Sequence, residues 1–213
     1  LFEKAFEKRV SFRAPRATAF YIKALFYFLD KNSMDEPKKR ALVAHCNRLA
    51  AFFKANSSAS WPWFEKVLTY SNAVLPEAMI LGYKVTKRKE YLDIAEKSFN
   101  FLLSVTMQNG VYVSVGQDGW YPEKGERKLF DQQSEDVAVT VQALESFFLI
   151  TGKEHLRPLA YQVFRWFYGR NILEQIVYDP ATGGCFDGVG RKGVNLNQGA
   201  ESTVSYLLAR FAL

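Results

Sequence analysis

Carboxylates and amides gather where three helical runs of this chain begin. The stretches SNAVLPEA, FDQQSED and NLNQGAEST each place Asn, Asp or Gln at a helix opening: Asn72, then Asp131, Gln132 and Gln133, then Asn197 and Gln198. A carboxylate follows within about a turn, at Glu77, Glu135 and Glu201. One such group is ordinary capping, because Asn, Asp and Ser satisfy the first amides and acids suit the positive end of the helix dipole. A cap needs a single residue, so recurrence at three openings points to a shared polar site. Side chains that both donate and accept hydrogen bonds are what sugar hydroxyls require. Hydrolysis of a glycosidic bond also needs two carboxyl groups about 5–5.5 Å apart for retention or about 6.5–9.5 Å for inversion. The candidate acids are Glu65, Asp131, Glu135, Asp187 and Glu201. Asp131 and Glu201 are assigned the acid and base roles, with Glu135 as a partner that raises a neighbour's pKa. Asn72, Gln132, Gln133, Asn197 and Gln198 are the hydroxyl-binding candidates. Trp61, Trp63 and Trp120 are the stacking rings, and Glu65, Glu77, Arg127 and Asp187 complete the substrate-binding set.

The elements that must position these groups are helical hairpins. Apolar periodicity predicts helices over 17–30 and 36–54, then 71–86 and 89–105, then 134–151 and 154–169, with a lone last helix over 200–213. A shift of 65 residues lays Thr86 on Thr151, Ala95 on Ala160 and Phe99 on Phe164, so the hairpins read as copies of one unit. Such units bury both faces only by stacking on neighbours, as a solenoid or a ring. The long connections 106–133 and 170–199 both lead from a second helix into the next first helix, which puts them at one end of the stack. VYVSVG within the first of them alternates as a short strand does.

Composition narrows the classes. The 213 residues are 48% hydrophobic, enough for one sizeable domain spanning 1–213. The net charge of +6 is scattered in short clusters such as KKR (38–40), interleaved with acids, so nucleic acid is not the expected partner. Apolar runs such as ALFYFL (24–29) are too short to span a membrane. Cys46 and Cys185 lie far apart with no zinc spacing, which suits reduced thiols in a cytoplasmic protein, although one bridge stays open. Neither metal nor cofactor is expected, the close acids at 131–136 reading as capping. No nucleophile elbow, phosphate loop or dinucleotide fingerprint is present.

The stretches WPWFEKVLTYSNAVLPEA, GWYPEKGERKLFDQQSED, YDPATGGCFDG and NQGAEST, with SFRAPRATAF (11–20), resemble a bacterial helical domain often fused behind glycosyltransferase domains. That domain also occurs near genes for mannoside breakdown, and the resemblance runs over nearly all of the chain. It implies an (α/α) toroid of the six-hairpin glycosidase type, with the loop motifs around a central cavity, but no settled reaction or catalytic pair. A full ring needs about twelve helices, two per hairpin; with seven predicted, the expectation is an N-terminally incomplete toroid or its C-terminal portion. The leading function is therefore binding and processing of a mannoside-like oligosaccharide. The alternatives are a non-catalytic module that binds glycan or docks on a glycosyltransferase, and a purely structural helical array.

Overall fold

A computed structural model describes residues 12–213 together with residues 4 and 6. Ser11, the first residue of SFRAPRATAF, and most of the opening LFEKAFEKRV lie outside them. Helix α1, Pro15–Lys31, opens on a proline, whose missing N–H and fixed φ suit a first helical position. It buries Ala19, Ile22, Leu25 and Leu29 along one stripe. Helix α2, Glu36–Asn56, is capped by Asp35, whose carboxylate accepts the Lys38 N–H at 3.0 Å. Its stripe is Leu42, Cys46, Leu49 and Phe53.

The next two hairpins repeat the same joint. Helices α3, Val74–Thr86, and α4, Lys89–Thr106, are joined through Lys87 at φ 59°. Helices α5, Ser134–Thr151, and α6, Leu156–Phe164, are joined through Gly152 at φ 70°, the position 65 residues on. In both, a terminal threonine hydroxyl donates to the carbonyl four residues back: Thr86 to Gly82 at 2.8 Å and Thr151 to Phe147 at 2.6 Å. Each hydroxyl also accepts the N–H two residues on, from Arg88 and Lys153. The 65-residue period is therefore a repeated helix stop. A single 3-10 turn, Arg165–Phe167, ends the third hairpin, and α7, Ala200–Ala212, follows alone.

The helices form two layers. In the inner row α1, α3, α5 and α7 pack side by side in that order, while α2, α4 and α6 lie outside against them. Central helix α3 is buried from Val74 through Gly82, which explains why its sequence lacks a polar face. Gly82 lets α2 approach closely, since a Cβ there would meet the Cys46 sulfur at 2.6 Å. Phe99 of α4 stacks on Phe147 of α5 at 4.4 Å between ring centres. Both cysteines are buried and free, and burial pushes the Cys46 thiol up to about 12 and the Cys185 thiol up to about 11. No helix among the described residues is long and apolar enough to cross a membrane.

The segments before α3, α5 and α7 are stitched together by short strands. Strand β1, Val67–Leu68, pairs antiparallel with β4, Tyr121–Pro122, from the first long connection. Strand β5, Gln132–Gln133, pairs with β6, Gly188–Gly190, which pairs in turn with β7, Gly193–Asn195. A Cβ on Gly188 would lie 2.3 Å from the Gln132 carbonyl oxygen, so glycine is needed for this pairing. Of the predicted strand VYVSVG only Val111–Tyr112 forms β3, paired with β2, Met107–Gln108, through the left-handed turn Asn109-Gly110. The three inner-helix starts are thereby fixed relative to one another.

Candidate functional site

A cavity of about 440 Å³ opens where the inner helices begin. Helix α1 contributes Phe20 and Lys23, and the turn before α3 contributes Tyr70 and Ser71. Gln117 enters from the first long connection, Gln133 and Glu135 from the α5 opening, and Gln142 from further along α5. Glu201, Ser205 and Leu208 close it from α7. The volume lies within the range of small-molecule sites.

Its electrostatics centre on carboxyl groups. Burial pushes the Glu135 carboxyl up from the ordinary glutamate value; a hydrogen bond from the Ser71 hydroxyl opposes the rise and the negative charge of Glu201 adds to it. Beside it, Asp136 is buried and is held well above the ordinary aspartate range by burial, then by the Glu135 charge. The Ser71 and Asn72 backbone amides donate to Asp136, and its Oδ2 has no partner among the described residues. Two ion pairs, one buried and one partly buried, brace the cavity. Lys23 donates to Glu77 at 2.6 Å and to the Gln142 carboxamide at 3.2 Å, while Ser146 donates to Glu77 at 3.0 Å. Arg16 pairs with Glu65 and donates to Asn72 Oδ1 at 3.1 Å. Asn72 also clasps both backbone groups of Thr69, fixing the turn that presents Tyr70 and Ser71.

These partners sort the residues singled out by sequence. Glu135, Glu201 and Gln133 line the cavity, and neither the Gln133 carboxamide nor the Glu201 carboxylate has a partner among the described residues. Asp131 is exposed and lies in a neighbouring depression, away from this cavity. Trp61 and Trp63 differ from the expectation of stacking rings: they are 2% and 0% exposed and pack on Phe101, so neither offers a face to a ligand. Trp120 is half-buried against Tyr70, and the rings that line the cavity are those of Tyr70 and Phe20, both about half exposed. Arg127 spends its guanidinium on the carbonyls of Val105, Val113 and Ser114, locking the β2–β3 hairpin. Gln132 is buried, accepting from the Trp166 indole at 2.9 Å and donating to the Leu129 carbonyl. Glu65, Asn72 and Glu77 serve the two ion-paired braces. Asp187 caps α7 from the adjacent loop, accepting from the Gly199 N–H at 2.8 Å and the Ser202 hydroxyl at 2.6 Å. Gln198 staples Thr182 and Asp179, and Asn197 is exposed beside it.

Sequence reasoning missed Phe20, Lys23, Tyr70, Ser71, Gln117 and Gln142 as cavity residues. Lys23 carried a signal: a lone cation within the apolar run AFYIKALFYFL needs a buried counter-charge, and Glu77 is one. Gln117 carried none, since only the folded loop brings it beside Gln133. Compared with known proteins, the chain matches no family model and no curated protein.

Proposed function

We propose that the protein binds and hydrolyses an oligosaccharide, mannoside-like in type, in the cavity between the inner-helix openings. The observation that carries this reading is the meeting of two carboxyl groups in one cavity, Glu201 and Glu135, the latter pushed up from the ordinary glutamate value by burial and by the Glu201 charge. Half-exposed Phe20 supplies an apolar face for a pyranose ring, Tyr70 lines the cavity with the Arg16 guanidinium 5.0 Å over its ring, and Gln117 and Gln133 supply amide groups with no partner among the described residues. Glu135 gives its proton to the glycosidic oxygen as the C–O bond breaks. Glu201 takes a proton from the water that adds to the anomeric carbon, so water is added across the bond. On this reading the two helical rows are a portion of an (α/α) toroid, and a glycosyltransferase domain is a natural neighbour.

Product release from manno-oligosaccharides tests the proposal in Glu135→Gln and Glu201→Gln. Loss of a single acid or base is expected to cost about 10²-fold or more in rate with the melting temperature kept. Full activity in both variants refutes the assignment. Glycan binding without turnover in the unmodified protein would favour the non-catalytic module instead.

A further inference from the structure

Beside the main cavity lies a wider, open depression of about 690 Å³, and a small cleft of about 90 Å³ is lined by residues of the β5–β6–β7 sheet together with Asp131 and Asp187. The three share walls. Gln117 lines the cavity and the depression, Gln133 lines the cavity and the cleft, and Asp131, Gly190 and Asn195 line the cleft and the depression. The shared residues place the three side by side, in a row from Glu135 and Glu201, past Gln133, to the β6–β7 turn. We infer that this row holds a second glycan-binding segment, so that the ligand is an oligosaccharide chain that continues from the main cavity across Asp131 and Asn195. The inference rests on reading the main cavity as a glycan site.

The chemistry of the depression suits a neutral polyol better than an ion. Asp118 and Asp131 are balanced there by Arg191 and Lys192, and Arg191 already pairs with Asp118 at 2.8 Å. What remains for a ligand is hydrogen bonding. The carboxylate of Asp131 and the carboxamide of Gln117 have no partner among the described residues, and Asn195 uses only its oxygen, on the Asn197 N–H. Phe130 supplies the ring, its face covered by the Arg191 guanidinium at 5.6 Å. That guanidinium and its partner Asp118 are both 62% exposed, so a pyranose can displace it at little cost. Asp131 becomes a hydroxyl ligand of this segment rather than an acid at the cleaved bond.

Titration calorimetry of the full chain with manno-oligosaccharides from the disaccharide to the pentasaccharide tests the inference. Affinity is expected to rise with chain length, and Asp131→Ala to remove about tenfold of the affinity for the longest ligands. Asp131→Asn, which keeps hydrogen-bonding groups, should retain most of the rise. Affinity independent of length overturns the second segment while leaving the main cavity reading intact, and a rise untouched by Asp131→Ala overturns it too. If no member of the series binds, both readings fall.

Discussion

Removing one partner from the Lys23–Glu77 pair should reveal how the cavity is held together. Lys23 and Glu77 have side-chain exposures of 10% and 0%, at an N–O distance of 2.6 Å. With an effective dielectric of about 20, their gross attraction is about 6 kcal/mol, most of which offsets the desolvation of two charges. Truncating one side is costly for that reason. In Lys23→Met the methionine fills similar volume, but Glu77 keeps only the Ser146 hydroxyl as a partner, and a buried carboxylate so stranded costs about 3–5 kcal/mol. For a chain of this size that is a fall in melting temperature of about 6–20 °C. Glu77→Gln is the milder change, because Lys23 retains Gln142 and the solvent at the cavity edge, and should cost about 1–3 kcal/mol. The double variant Lys23→Met/Glu77→Gln should be more stable than Lys23→Met alone, since no charge is left buried. Urea unfolding followed by circular dichroism reads all three against the unmodified protein. A Lys23→Met variant within about 1 kcal/mol of it, with no rescue by Glu77→Gln, would sink the reasoning.

Three further outcomes follow from the same geometry. Glu201→Gln removes a negative charge that raises Glu135, so under the proposed hydrolysis the variant's residual activity should begin to fall at a lower pH on the alkaline side than that of the unmodified protein. Asp136 binds its proton more tightly folded than unfolded, so its contribution to stability is present below the ordinary aspartate value of 3.8 and is lost as pH rises through the raised folded value. Asp136→Asn should therefore be more stable than the unmodified protein at neutral pH, with the difference vanishing in acid titrations below that ordinary value; equal stability throughout would remove the assignment. The thiols of Cys46 and Cys185 should resist iodoacetamide at pH 8 until the protein is unfolded, with mass spectrometry reporting two alkylations only in denaturant.

The helical order of the chain was legible because apolar periodicity is local. The predicted run 36–54 is the helix Glu36–Asn56, and 200–213 is Ala200–Ala212. The predicted run 154–169 shortens to Leu156–Phe164 and a 3-10 turn, where Trp166 and Phe167 turn into the core. Long-range partnership was not legible. Trp61 and Trp63 sit in a loop, where indole rings are as suited to a ligand as to a core, and only the closure of β1 on β4 with the packing of Phe101 buries them. Gln132 and Gln133 are adjacent and chemically identical, yet strand alternation sends one into the core against Trp166 and the other towards the cavity.

The choice between capping and a site at the three openings turns on where the polar groups go. If capping were the whole reason for them, the residues at the starts of α3, α5 and α7 would bond their own first-turn amides, as Asp35 does for α2. They do not: Ala73, Gln133 and Gly199 occupy the N-cap positions without a side-chain cap. Asn72 is committed to Thr69 and Arg16, while the α7 start is capped by Asp187, twelve residues earlier in the connection that leads into it. Capping by the opening residues thus accounts for little of the polarity, and bracing within and between segments accounts for Asn72, Gln132 and Gln198. Among the described residues, the cavity side chains Gln117, Gln133 and Glu201 have no partner, and Glu135 is held beside them by one hydroxyl. These groups are the remainder that neither capping nor bracing explains, and they share one cavity.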